Sequence, residues 1–165
     1  MLASPIPVVA AGGIADGRGL AAALVLGAQG VNIGTRFLAS AEAEIDDEWK
    51  RRILAAKSED AVKVEFADHV FPAPNVEGSY GTLPRVLRRP FVEEWNRRQE
   101  EAAREGERLG GEVISALREG RGHELIPFTG ESAGMIHEVP AAGEIVRGLV
   151  AEAEEALRTA GSLSR

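Results

Sequence analysis

The chain has 165 residues, 44% of them hydrophobic, with a formal net charge of −7 and no cysteine. That apolar fraction suits a folded chain rather than a disordered one. The negative balance argues against broad nucleic-acid binding, and the missing cysteines exclude disulfides, thiolate catalysis and zinc–thiolate sites. No apolar run reaches membrane-spanning length, and the opening MLASP lacks the basic and long apolar regions of a secretory signal, so a cytoplasmic protein without membrane partners is the expectation.

Residues 7–35, PVVAAGGIADGRGLAAALVLGAQGVNIGT, carry the organising signal. An uncharged apolar run (7–11) reads as a parallel strand buried on both faces, and Gly12-Gly13 ends it. Asp16 suits the cap of a helix with Leu20, Ala23, Leu24 and Leu26 on its apolar face and Gly27 as its stop. A second short strand follows (28–33), closed by Gly34-Thr35. The result is a βαβ unit whose two strands both end in glycine turns. Ligands bind at the carboxyl ends of parallel strands, and glycines let backbone N–H groups approach closely. Two such turns side by side, one with a hydroxyl, form a phosphate cradle, and in a (β/α)8 barrel the loops after strands 7 and 8 hold phosphate. Glycines also end strands for no functional reason, so the pair of turns together carries the reading.

This segment, AAGGIADGRGLAAALVLGAQGVNIGTRFLAS, resembles the FMN-binding segment of the nitronate monooxygenase (2-nitropropane dioxygenase) family, and flavin-dependent enoyl-ACP reductases are similar over the same stretch. The resemblance continues through GSYGTLPRVLRRPFVEEW (78–95) and FTGESAGMIHEVPAAGEIV (128–146). It implies an α/β fold: strands 7 and 8 of an FMN-binding (β/α)8 TIM barrel with their helices in residues 1–57, then a mainly helical C-terminal region in 58–165 packing on the barrel. It implies FMN as cofactor, its phosphate held by Gly12, Gly13, Asn32, Ile33, Gly34 and Thr35. The implied activity is oxidative denitrification of alkyl nitronates, with a nitronate or nitroalkane and O2 as small-molecule partners. The family has glutamine at the position of Glu131, where a carboxylate would change the charge near a flavin.

A complete barrel needs about 250 residues. The expectation is therefore the C-terminal part of a longer protein, whether truncated, split or given a misplaced start, and its open strands call for a complementing N-terminal chain or a second copy. The family's catalytic histidine belongs to an upstream segment, so no catalytic residue is named. His69, His123 and His137 show no metal-site spacing, and no metal is expected. The favoured function is a nitronate monooxygenase or part of one; the alternatives are an enoyl-ACP reductase fragment and a non-enzymatic remnant stable through self-association. The bare chain should retain flavin weakly and show no measurable monooxygenase activity.

Further along, Arg36 opens a last barrel helix, and residues 42–57 form an amphipathic helix with Ile45, Trp49, Ile53 and Leu54 as its stripe and Trp49 as packing. A short strand is expected at 61–66, then an irregular stretch broken by Pro72, Pro74, Gly78, Gly81 and Pro84. Arg85, Arg88 and Arg89 offer either an anion contact or, more often for such clusters, a solvated surface paired with acids. A charged helix follows (90–105) with proline at its first position, and Gly110-Gly111 and Gly120-Arg121-Gly122 read as breaks. Residues 128–136 form either a ligand-approaching loop or a tight connection. The closing helix (140–160) aligns Ile145, Val146, Leu149, Val150, Ala153 and Leu157.

Overall fold

The computed structural model describes residues 6–71 and 83–163. Strand β1 (Val9–Ala11) and strand β2 (Gly30–Asn32) pair in parallel, with helix α1 (Gly17–Val25) as the crossover. The backbones of Val8 and Gln29 meet just ahead of the strands: Gln29 N donates to Val8 O at 2.8 Å, and Val8 N donates to the Gln29 side-chain oxygen at 2.6 Å. This exchange pins the register. Asp16 caps α1, its carboxylate accepting the Gly19 N–H at 2.8 Å, and Gly27 turns the chain with φ +101°.

The strands are not buried. Val9 is 59% exposed, and no third strand joins the pair among the described residues, so the apolar run keeps solvent on faces that a larger parallel sheet would cover. The expected apolar face of α1 is displaced for the same reason. Gly17, Ala21 and Ala23 are buried, whereas Leu24 and Leu26 point outward.

The buried side of α1 meets helix α9 (Ala142–Ser162). Of the six residues aligned on α9, Ile145, Leu149 and Ala153 are buried, and Val146, Val150 and Leu157 stay exposed. A single-turn helix α2 (Thr35–Leu38) replaces the expected start of a long helix, and helix α3 (Asp47–Ala55) begins at an Asp46 cap bonded to Trp49 N at 2.8 Å.

The C-terminal region adds strand β3 (Ala61–Lys63), helix α4 (Ala67–Val70), strand β4 (Arg85–Leu87), helix α5 (Pro90–Arg97), helix α6 (Gln99–Arg104), helix α7 (Gly106–Arg118) and helix α8 (Gly122–Leu125). Strand β4 pairs antiparallel with β3 and was not expected, since its three residues lie between a proline and an arginine pair. Pro72, Pro74, Gly78 and Gly81 lie outside the described residues. The charged helix splits at Arg98, which leaves the helical region (φ −120°, ψ +45°) between α5 and α6.

Gly110 and Gly111 do not break the chain but lie inside α7. A Cβ on Gly106 would sit 2.3 Å from His69 O, and one on Gly110 would sit 2.9 Å from Val70 O. Close approach to the α4 backbone therefore decides these glycines, against their helix propensity.

Two cores result. One gathers Val64, Phe66, Val86, Val92, Trp95, Leu109, Val113 and Ile126 from β3, β4 and the surrounding helices. The other joins Ala15, Ala39, Trp49, Ile53, Leu87, Ala133 and Ile136, so it draws on residues from both ends of the chain. Fully burying a side chain of the size of Ile53 or Phe66 contributes about 1.5–3 kcal/mol, far more than any single ion pair on the charged helices. Trp49 is 5% exposed and packs in the second core, as expected.

Candidate functional site

The register Val9↔Gly30, Ala10↔Val31, Ala11↔Asn32 brings the two glycine turns to one end of the strand pair. Gly12 and Gly13 adopt φ +89° and +70°, in the left-handed region that residues with a Cβ avoid. A Cβ added at Gly12, Gly13 or Gly34 would meet nothing within 4 Å. The space beside these three glycines is thus open. Asn32 is exposed and Ile33 half-buried.

Thr35 is different. It is 9% exposed, and its hydroxyl oxygen accepts the Gly130 N–H at 2.9 Å. Accepting that bond uses a lone pair and leaves the Thr35 O–H free to donate. The loop at 128–136 therefore does reach the second turn. Its Glu131 side chain lies 3.2 Å from Arg85 Nη2, on the surface.

The first turn of α1 is not an anion site. Asp16 accepts the Gly19 N–H, and Glu152 accepts the Gly17 N–H at 2.8 Å, so two carboxylates already satisfy it. The same carboxylates, with Glu138, Glu144 and the single arginine Arg36, line a cleft of about 480 Å³ between Ala15-Asp16, the 135–140 segment and α9. Its acidic wall disfavours phosphate, and none of the six predicted cradle residues lines it.

One residue of this region escaped sequence reasoning. Arg36, next to the second turn, is 8% exposed; its Nη1 donates to Glu138 O at 3.1 Å and to Ala39 O at 3.4 Å, and its Nη2 to Glu138 Oε1 at 3.4 Å. Burial lowers its pKa from the usual guanidinium range, opposed by the Glu138 and Glu152 carboxylates. The available signal was an arginine set in the apolar run Ile33–Ala39 beside a Gly-Thr pair, but its partner lies 102 residues away.

The arginine cluster divides. Arg85 and Arg88 pair with Glu131 and Glu93, each at 3.2 Å. The buried Nε of Arg89 has no hydrogen-bond partner among the described residues; burial and then the nearby Arg52 charge lower its pKa. The histidines do not meet: His69 and His137 are exposed, and His123 Nδ1 lies 2.7 Å from Asp46 Oδ1 at the α3 cap. Among the described residues no helix is long and apolar enough to cross a membrane, and no group of three or more His, Asp or Glu is arranged to hold a metal.

Residues 1–152 match the family model described as nitronate monooxygenase. The chain belongs to the nitronate monooxygenase family. It is 38% identical to the nitronate monooxygenase npaC of Metarhizium robertsii, over 87% of this chain and 40% of that protein. It is 31% identical to (3aS,4S,5R,7aS)-5-hydroxy-7a-methyl-1-oxo-octahydro-1H-indene-4-carboxyl-CoA dehydrogenase of Mycobacterium tuberculosis, over 96% of this chain and 52% of that protein. Among solved structures, FabK from Thermotoga maritima is similar with a TM-score of 0.79 and 34% identity, covering 96% of this chain and 47% of that one. A nitroalkane oxidase from Streptomyces ansochromogenes gives 0.70 and 30%, covering 94% and 41%. The chain thus spans about half the length, or less, of these family relatives.

Proposed function

We propose that this chain carries the phosphate-holding part of an FMN-dependent oxidoreductase of the nitronate monooxygenase type, acting on alkyl nitronates or nitroalkanes with O2. One observation supports the assignment of FMN phosphate most directly: two adjacent turns at the carboxyl ends of parallel strands, open above Gly12, Gly13 and Gly34. Their backbone amides, the Thr35 O–H and the neighbouring Asn32 and Ile33 amides would surround a phosphate monoester. FMN, when bound, supplies the redox chemistry through its isoalloxazine ring. In this reading residues 1–57 present the turns, and residues 58–165 pack against them and hold Thr35 in place. The similarity to a nitroalkane oxidase and to npaC supports a nitro-group substrate.

The test is a fluorescence titration of the purified chain with FMN and with riboflavin, which differs only in lacking the phosphate. Affinity for both is expected to be weak, with FMN favoured at least about tenfold, the equivalent of 1.4 kcal/mol of phosphate contacts. Equal affinities would overturn the cradle assignment. A second reading, a flavin-dependent enoyl-ACP reductase, is favoured by the higher TM-score with FabK. Turnover of a crotonyl thioester with NAD(P)H, against turnover of propionate-3-nitronate, separates the two in the complete protein.

A further inference from the structure

The segment that follows the second glycine turn is fastened to the segment before α9 by successive ties. Gly130 N–H donates to Thr35 Oγ1 at 2.9 Å, and the Arg36 guanidinium donates to Glu138 O at 3.1 Å. Ala41 N–H donates to Pro140 O at 2.9 Å, and Ala142 N–H donates to Glu42 Oε2 at 2.7 Å. Arg36 is the only charged side chain in this ladder that is buried. Its charge is met by two backbone carbonyls, by the Glu138 carboxylate, whose side chain is 74% exposed, and through space by Glu152. A guanidinium largely removed from water is a costly way to hold two segments together, even with carboxylates beside it. A neutral side chain would fill the same space more cheaply if only packing were needed.

From this we propose that Arg36 is a positioning residue for the Gly34–Thr35 turn: spanning Ala39 O and Glu138 O, it fixes the turn's one-helix-turn continuation so that the Thr35 O–H and the turn amides face the phosphate. The proposal rests on the phosphate-cradle reading for its functional meaning. The geometry shows how the constraint is transmitted. The carbonyl of Gly34 accepts from Phe37 N at 2.9 Å and Leu38 N at 3.2 Å, so the turn and Arg36 share one hydrogen-bonded loop. Thr35 Oγ1, already oriented by Gly130, keeps its proton for an acceptor outside that loop. Arg36 itself does not need to touch the ligand.

Two substitutions and two readouts test this on the full chain. Arg36→Met removes the clamp while keeping an apolar stem. Arg36→Lys keeps a charge but offers one donor centre where two separated carbonyls and a carboxylate must be reached. The first readout is the ratio of FMN to riboflavin affinity. Arg36→Met is expected to cut that ratio about tenfold with riboflavin binding unchanged, and Arg36→Lys to restore part of it. Glu138→Gln is expected to change the ratio less than about twofold, because the backbone carbonyls carry the clamp. The second readout, amide exchange at Phe37 and Leu38, needs no flavin; it should accelerate at least about tenfold in Arg36→Met, beyond any change at the α7 amides. A general loss of stability would instead speed exchange everywhere and weaken both flavins alike, which overturns the proposal. So would unchanged exchange at Phe37 and Leu38. If the unsubstituted chain shows no preference for FMN, the cradle reading fails, and exchange at these two amides still decides whether Arg36 positions the turn. If Arg36→Met does not fold, the Arg36→Lys variant decides by the same two readouts.

Discussion

Gly17 and Ala153 lie backbone against backbone: a Cβ on Gly17 would come within 2.5 Å of the Ala153 nitrogen. At this point α1 packs directly on α9, with the Glu152 Cβ 2.3 Å and the Leu149 carbonyl oxygen 2.5 Å from that position, and the Gly17 N–H donates to the Glu152 carboxylate. Gly17→Ala should therefore destabilise by about 3 kcal/mol, the upper end of overpacking costs, because backbone cannot step aside as a side-chain tip can. Urea unfolding measures it. A change below about 0.5 kcal/mol would mean that the two helices slide freely past each other.

Helix α7 offers a paired test of two glycines in one element. Gly106→Ala drives a methyl group against His69 O, 2.3 Å away, and should cost about 2–3 kcal/mol. Gly111→Ala meets nothing within 4 Å and should stabilise by about 0.5–1 kcal/mol through helix propensity alone. Thermal melts of the two variants are expected to shift in opposite directions. Shifts of the same sign would contradict the placement of α7 against α4.

Gly13→Ala separates conformational strain from ligand contact. With φ at +70° and free space around it, the substitution should cost the unliganded chain about 1–2 kcal/mol from the left-handed backbone alone. The new methyl group occupies space above the turn, so FMN affinity should fall further than riboflavin affinity. Equal losses for the two flavins would place the phosphate elsewhere.

Arg89→Met tests a buried Nε that has no hydrogen-bond partner among the described residues. Burial and the Arg52 charge disfavour its protonated form, and outweigh the attraction of Glu48 and Glu124. Because the folded pKa is lowered, the fold disfavours the protonated form. The guanidinium is protonated in both folded and unfolded chains across the neutral range. Its penalty is thus present there at constant size, and shrinks only as pH rises towards the arginine range. Part of the side chain remains in solvent, which screens the effect to about 0.5 kcal/mol. Arg89→Met is expected to raise the Tm by that equivalent at pH 6 and at pH 9 alike, and a lowered Tm would show that attraction from Glu48 and Glu124 outweighs the cost of burial.

The parts of this fold legible in the sequence are those governed by neighbours along the chain. Asp16, three residues before the Gly19 N–H it accepts, is a local cap. The strand–glycine alternation of the βαβ unit is local too, and so is the stripe that buries Trp49 and Ile53. What stayed hidden depends on distant contacts. Gly110 read as a break, because nothing nearby in the sequence reveals that the α4 backbone passes beside it. Strand β4 has only three residues and gains its strand character by pairing with Ala61–Lys63. The outward turn of Leu24 and Leu26 reversed an apolar pattern that is otherwise well formed, since the helix face beside Ala21 is the one that meets α9. At the candidate site, the glycine turns could be read from sequence, but the bond from Gly130 to Thr35 and the burial of Arg36 could not.

Ile6 at 70%, Val9 at 59%, Val25 at 72% and Leu26 at 87% exposure leave β1 and the end of α1 with a greasy flank on the strand pair that presents the glycine turns. An exposed apolar edge of this kind favours contact with another apolar edge. These side chains gather towards the amino ends of β1 and β2, at the opposite end of the pair from the glycine turns. Association of two copies through them would leave the turns open. The flavin dissociation constant is therefore expected to hold steady across a dilution series of the protein, and a value that drifts with protein concentration would contradict that separation.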